Sequence, residues 1–162
     1  MRGFVRARAW KRGRLLWELE RENTVVTAAL APISKLVAGV YAGNFISVVG
    51  FGSGNPGAVP PVTDVDLTAT PAYYNDTGLV TYPSPGQVQF SWKIDTTGPD
   101  AAAVGLTISE LGFFANTGAV GTPLSRALGA GAPALTMYAH IPWPAFAVAA
   151  SGIYEGTWTF VA

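Results

Sequence analysis

Glycine and proline punctuate this chain so densely, at 19 and 12 of 162 residues, that its apolar residues fall into short runs bounded by turn signals. That pattern fits a turn-rich β protein better than a helical bundle. The runs that read as strands are Phe45 to Gly52, Leu67 to Tyr74, Gly78 to Tyr82, Gln87 to Asp95, Val104 to Ala115, Pro123 to Ala127, Leu135 to Ile141 and Tyr154 to Val161. Repeated short strands of this kind favour a sandwich or barrel.

The first 22 residues read differently. Phe4-Val5-Arg6-Ala7-Arg8-Ala9-Trp10 alternates, so one face carries Phe4, Arg6, Arg8 and Trp10 and the other Val5, Ala7 and Ala9. Lys11-Arg12-Gly13 supplies a turn, and Arg14 to Arg21 returns as a second strand. A basic amphipathic helix is the rival reading; the alternation outweighs the helix propensity. Beyond it, Asn23-Thr24 can cap a short α-helix over Val25 to Gly39, with Val26, Leu30, Ile33 and Val37 at helical spacing and Pro32 as a kink or a start. The expected fold is therefore mainly β: an antiparallel β-sandwich-like body over residues 23–162, an N-terminal basic hairpin arm over residues 1–22 and one short α-helix.

Charge is scarce and unevenly placed. Only 12% of residues are charged against 49% hydrophobic, a surface that needs partners to cover it. The net charge is zero, yet Arg2, Arg6, Arg8, Lys11, Arg12 and Arg14 give the first fourteen residues +6, leaving −6 on the rest. Such a segment suits an acidic protein surface or nucleic acid. With Phe4, Trp10 and Trp17 interleaved and an acidic body in the same chain, protein docking is favoured over nucleic acid. These nine residues form the candidate assembly interface. No signal-peptide core follows the basic start, and no apolar run is long enough to span a bilayer, because Thr24 to Gly43 contains Pro32 and Lys35. No membrane partner is expected.

Chemistry is hard to assemble from this inventory. There is no cysteine and a single histidine, His140, which reads as a packed or interface side chain. Gly50-Phe51-Gly52-Ser53-Gly54-Asn55 lacks both the last glycine of a dinucleotide fingerprint and the lysine of a P-loop, so it reads as a turn. Asp64 and Asp66 are too few oxygens for calcium. The sequence nominates no second carboxylate as a partner for Glu110, which reads as a structural acid bonded to backbone donors at a strand turn. No catalytic, cofactor or metal residue is nominated, and the expectation is a non-enzyme. Tyr73, Tyr74 and Trp143, in the proline-flanked Pro71-Ala72-Tyr73-Tyr74-Asn75 and Pro142-Trp143-Pro144, are candidate surface-binding residues for a host-surface glycan.

Several segments, taken in order, resemble a family of bacteriophage tail-fibre and baseplate-associated proteins: Glu22-Asn23-Thr24-Val25-Val26-Thr27, Val48-Val49-Gly50-Phe51-Gly52-Ser53-Gly54, Ile108-Ser109-Glu110-Leu111-Gly112-Phe113-Phe114, Leu124-Ser125-Arg126 and Gly156-Thr157-Trp158-Thr159-Phe160. Departures from that pattern are Ala115-Asn116, where an aspartate is common, and Pro142-Trp143-Pro144. The resemblance implies a structural component of the virion tail, a tail fibre, baseplate piece or adaptor, that assembles with sister copies (a trimer is the family expectation) and other tail proteins. A glycan-binding module and a head-decoration protein are the alternatives.

Overall fold

The computed structural model describes residues 2–29, 46–55, 57, 67–68, 73–76, 80–116, 126–127 and 135–161. About seven in ten of these are strand, and no helix of seven or more residues occurs among them. The strands are β1 (Arg2–Lys11), β2 (Arg14–Val25), β3 (Ile46–Gly52), β4 (Tyr73–Asp76), β5 (Val80–Thr81), β6 (Gln87–Asp95), β7 (Thr107–Asn116), β8 (Arg126–Ala127), β9 (Leu135–Ala147) and β10 (Gly152–Val161). They form one antiparallel sheet in the order β5-β6-β10-β1-β2-β9-β7-β3-β4-β8, curled into a half-barrel.

β1 shows why the sequence folds this way. Its alternation is realised as read: Val5, Ala7 and Ala9 are fully buried on the concave face, while Arg6 is exposed on the other. Small residues here make room for large rings from the strands beside it. Ala7 lies opposite Gly156 of β10, which lies opposite Trp92 of β6, and the Trp92 indole packs over the space a Gly156 side chain would fill. The arm suggested for residues 1–22 does not stand apart from a body, because β1 sits between β10 and β2 inside the sheet and its apolar face belongs to the main core. A boundary at residue 22 therefore separates no independent bodies.

β1 and β2 pair antiparallel across a two-residue turn, with Arg12 at φ 49° and Gly13 at φ 77°. Positive φ at both positions matches the right-handed twist of the flanking strands. Leu16 is bulged out of the register, since Trp10 pairs with Leu15 and Ala9 with Trp17.

Curling brings the two ends of the sheet together. Phe113 of β7 stacks on Trp158 of β10 with centroids 4.9 Å apart, Phe90 of β6 meets Phe113 edge-on at 5.0 Å, and Phe51 of β3 meets Trp92 edge-on at 5.2 Å. One core thus draws on β3, β4, β7 and β9 from one half and on β1, β6 and β10 from the other.

Two expectations change at the seam between the halves. Val25, placed in a helix by its spacing, ends β2 and pairs with Ala139; Thr27–Ala29 form a single 3-10 turn, and the rest of the expected helix lies outside the described residues. β9 runs on through Pro142 and Pro144 to Ala147, beyond the expected end at Ile141. Prolines have no N–H to donate, so β9 cannot carry a full ladder on both sides there. β7 occupies one side along the strand, and β2 pairs only at His140 and Ala139 before diverging.

Gly156→Ala places a methyl group against Trp92 and the Arg6 carbonyl. It is expected to destabilise the fold by about 1–3 kcal/mol, read as a lowered urea midpoint at constant slope.

Candidate functional site

The nine residues of the candidate assembly interface are distributed over both faces of the β1–β2 pair. Arg6 and Arg8 both converge on Glu18 Oε1 across the strand pair, Arg8 Nη2 at 3.0 Å. Hydrogen bonding from Arg6, and then from Arg8, holds the Glu18 carboxyl below the usual carboxylate range. Trp10 donates its indole N–H to Glu155 Oε1 at 2.9 Å. Trp17 faces the other way, half-buried against Trp143 and Phe146 with centroids 6.4 and 5.2 Å away. Phe4 is half-buried; the Arg2 side chain lies outside the described residues.

The turn end of the pair is exposed throughout. Lys11, Arg12 and Arg14 are all exposed, and none forms an ion pair among the described residues. Leu15 and Leu16, 41% and 53% exposed, follow them directly. Three cations beside two uncovered leucines make an interaction-prone surface.

The outward face of β6, β10, β1 and β2 forms an open groove of about 1040 Å³, lined by Phe4, Arg6, Gln89, Ser91, Thr157 and Thr159 among others. Its hydroxyl and amide groups stand on paired strands, so their positions are fixed by the sheet.

Tyr73, Tyr74 and Trp143 are not surface residues. They are 0%, 4% and 5% exposed, because proline-flanked aromatics here turn into the core: Tyr74 packs on Phe114, and Trp143 on Trp17. No ring of the three presents a face to a glycan.

Two buried polar networks hold the sheet in its curl. In the first, Glu110 and His140 are both fully buried, with Glu110 Oε2 2.8 Å from His140 Nε2. Glu110 Oε1 accepts from the Gly54 N–H at 2.9 Å, and Oε2 accepts from the Thr68 N–H and hydroxyl at 2.9 and 2.8 Å. Since N–H groups only donate, this surround suits an ionised carboxylate, and His140 presents its Nε2 proton to it. The carboxylate thus ties the turn after β3 and the Thr68 segment to β7 and β9, as the structural reading of Glu110 anticipates; His140 is packed, as read, and its pairing with Glu110 is what sequence reasoning missed. Only the β7–β9 register, with its shifts near Glu110 and Phe113, brings the two together. Gly52 is explained by the same node: a side chain there would strike the Glu110 carboxylate.

In the second network, the 3%-exposed Asp100 accepts from Tyr73 Oη at 2.6 Å, from Asn75 Nδ2 at 3.3 Å and from the Asp95 N–H at 2.7 Å. Asn75 Nδ2 also donates to the Lys93 carbonyl at 2.7 Å. These bonds run between β4 and the end of β6, near opposite ends of the sheet. Beside them, Lys93 and Thr97 hydrogen-bond Asp95 and hold its carboxyl down at about 2.

No cluster of three or more metal-ligating side chains occurs among the described residues, and Asp64 and Asp66 lie outside them. No helix among the described residues is long and apolar enough to cross a membrane. No family model matches the chain, no curated protein matches it, and no solved structure does.

Glu110→Gln puts an NH₂ group among donors and removes a buried charge from His140. A loss of about 3 kcal/mol is expected, with faster hydrogen exchange at the Gly54 and Thr68 amides; unchanged exchange there contradicts the role assigned to the carboxylate. The Asp95 carboxyl is depressed in the folded chain, so its contribution is complete above its unfolded pKa and is lost as pH falls through the folded one. Acid titration should therefore loosen the 95–100 turn between about pH 4 and about pH 2, followed by the Thr97 amide resonance, and Asp95→Asn should remove that step.

Proposed function

We propose that this protein is a non-enzymatic structural subunit of a bacteriophage tail, a fibre, baseplate or adaptor piece, that works by docking to sister copies and neighbouring tail proteins. In this reading the facing halves of the sheet act as a sandwich-like body, and the β1–β2 pair is its docking element. The observation that carries the assembly reading is the division of labour among polar groups. Glu110, His140 and Asp100 are buried and tied to backbone and side-chain partners, whereas uncommitted cations and uncovered leucines gather at the turn end of β1 and β2. An exposed surface of that kind gives steering and hot-spot contact, not chemistry. The assignment to a phage tail rests on the sequence resemblance, with Ile108-Ser109-Glu110-Leu111-Gly112-Phe113-Phe114 as its most specific stretch.

A glycan-binding module is the second reading, and the polar groove favours it. A saccharide would meet Gln89, Ser91, Thr157 and Thr159 there, in place of the buried Tyr73, Tyr74 and Trp143.

Reversing the turn-end cations tests the assembly reading. Lys11→Glu/Arg12→Glu/Arg14→Glu should keep the urea midpoint of the parent and lower incorporation into particles by about tenfold or more. Normal incorporation of a folded variant would remove the docking role, and retention of host-surface binding by the free chain would then favour the groove.

A further inference from the structure

The outward-facing side chains of β1 are, in order, Phe4, Arg6, Arg8 and Trp10, with a half-buried aromatic ring at each end of the line. At about 3.4 Å per residue the two rings stand roughly 20 Å apart along the strand. The pairing register fixes what lies beside each. Trp10 sits between Ile153 of β10 and Leu15 of β2, an apolar platform three strands wide. Arg6 lies beside Thr157 and Phe4 beside Thr159, and Ser91 and Gln89 of β6 continue those two rows. The open groove of about 1040 Å³ runs over the rows from Phe4 to Arg8, and Trp10 stands at its end, bonded to the Glu155 that lines it.

We propose that this face binds a linear, uncharged polysaccharide laid along β1, with Phe4 and Trp10 as its stacking residues. The inference rests on the glycan reading of the groove and names the ligand class and the side chains that hold it. A sugar ring carries CH groups on its faces and hydroxyls at its rim, so it needs apolar surface beside fixed donors and acceptors. Both are present here. The Trp10 indole N–H is taken by Glu155, so what this half-buried ring offers a ligand is its face. Gln89 Nε2 donates to the Thr159 hydroxyl at 3.0 Å, and Arg6 and Arg8 are held on Glu18, so the polar groups between the rings are placed before a ligand arrives. Each guanidinium still has N–H groups beyond those given to Glu18. Charge selects the class. Among the described side chains of this face, the cations Arg6, Arg8 and Lys93 meet the carboxylates of Glu18, Glu20, Glu22, Asp95 and Glu155. A polyanion, whether an acidic glycan or a nucleic acid, finds no cationic surplus there. A protein partner is also disfavoured, because past Ile153, Trp10 and Leu15 the rows are polar and lack the apolar centre of a protein interface.

Binding of the full chain to immobilised polysaccharides tests this, with dextran, mannan, galactan and chitin oligomers as uncharged probes and alginate and polygalacturonate as acidic ones. At least one uncharged probe should bind, with an affinity that changes less than about twofold between low and high salt. Trp10→Ala and Phe4→Ala should each weaken that binding about tenfold, and Trp10→Phe, which keeps a ring, should weaken it less. Thr157→Val keeps a β-branched shape on the strand while removing the hydroxyl between Ser91 and Arg6, so a loss of about threefold at an unchanged urea midpoint separates ligand contact from folding. Binding confined to the acidic probes, or lost in high salt, overturns the ligand class. Binding of an uncharged probe that all of these substitutions leave unchanged overturns the site and leaves the glycan reading of the chain standing. No binding to any probe removes the inference and counts against the glycan reading itself. The assembly reading is judged separately, on particle incorporation of the turn-end variant.

Discussion

Everything in this fold depends on rings from opposite ends of one sheet meeting across its concave face. Phe113 stacks on Trp158 and packs with Phe90 and Phe160, so β7 is joined to β10 and β6 although three strands lie between β7 and β10 in the sheet. Aromatic pairs of this type add about 0.5–1.5 kcal/mol each beyond their buried area. The sheet can curl tightly enough to make them because β1, between β10 and β2, puts the small Val5, Ala7 and Ala9 on that face. A larger residue on β1 would hold the halves apart.

The buried polar groups are placed where the curl needs fastening. Asp100 and Asn75 join β4 to the end of β6, and Glu110 with His140 fixes the turn after β3 against β7 and β9. A buried carboxylate is tolerable in such a site only because donors surround it. The same saturation removes these groups from solution chemistry and leaves interaction to the turn end of β1–β2 and to the groove. Where β9 turns to proline, β2 parts from it, and the wedge between them is filled by Trp17, Trp143 and Phe146.

Much of this was legible where a local rule decides the outcome. Period-two alternation put Val5, Ala7 and Ala9 on one face, which is the buried one, and β6 runs from Gln87 to Asp95 as its pattern indicates. Glu110 read as a structural acid for want of a chemical partner in sequence. What failed depended on distant pairing. His140 lies 30 residues from Glu110 and meets it through a shifted register that no local pattern encodes. The spacing of Val25 to Gly39 suggested a helix, yet Val25 is claimed by Ala139 across the seam. Tyr73, Tyr74 and Trp143 looked available because prolines flank them, but an aromatic beside a proline packs inward as readily as outward, and here the curl supplies a core for each.

The most direct test of this account is a double-mutant cycle on Phe113→Leu and Trp158→Leu, measured by urea unfolding. If the two halves are held together through that stack, the losses should be non-additive, with a coupling of about 1 kcal/mol. Losses that add to within about 0.3 kcal/mol would mean that the rings do not join the halves, and would contradict the account.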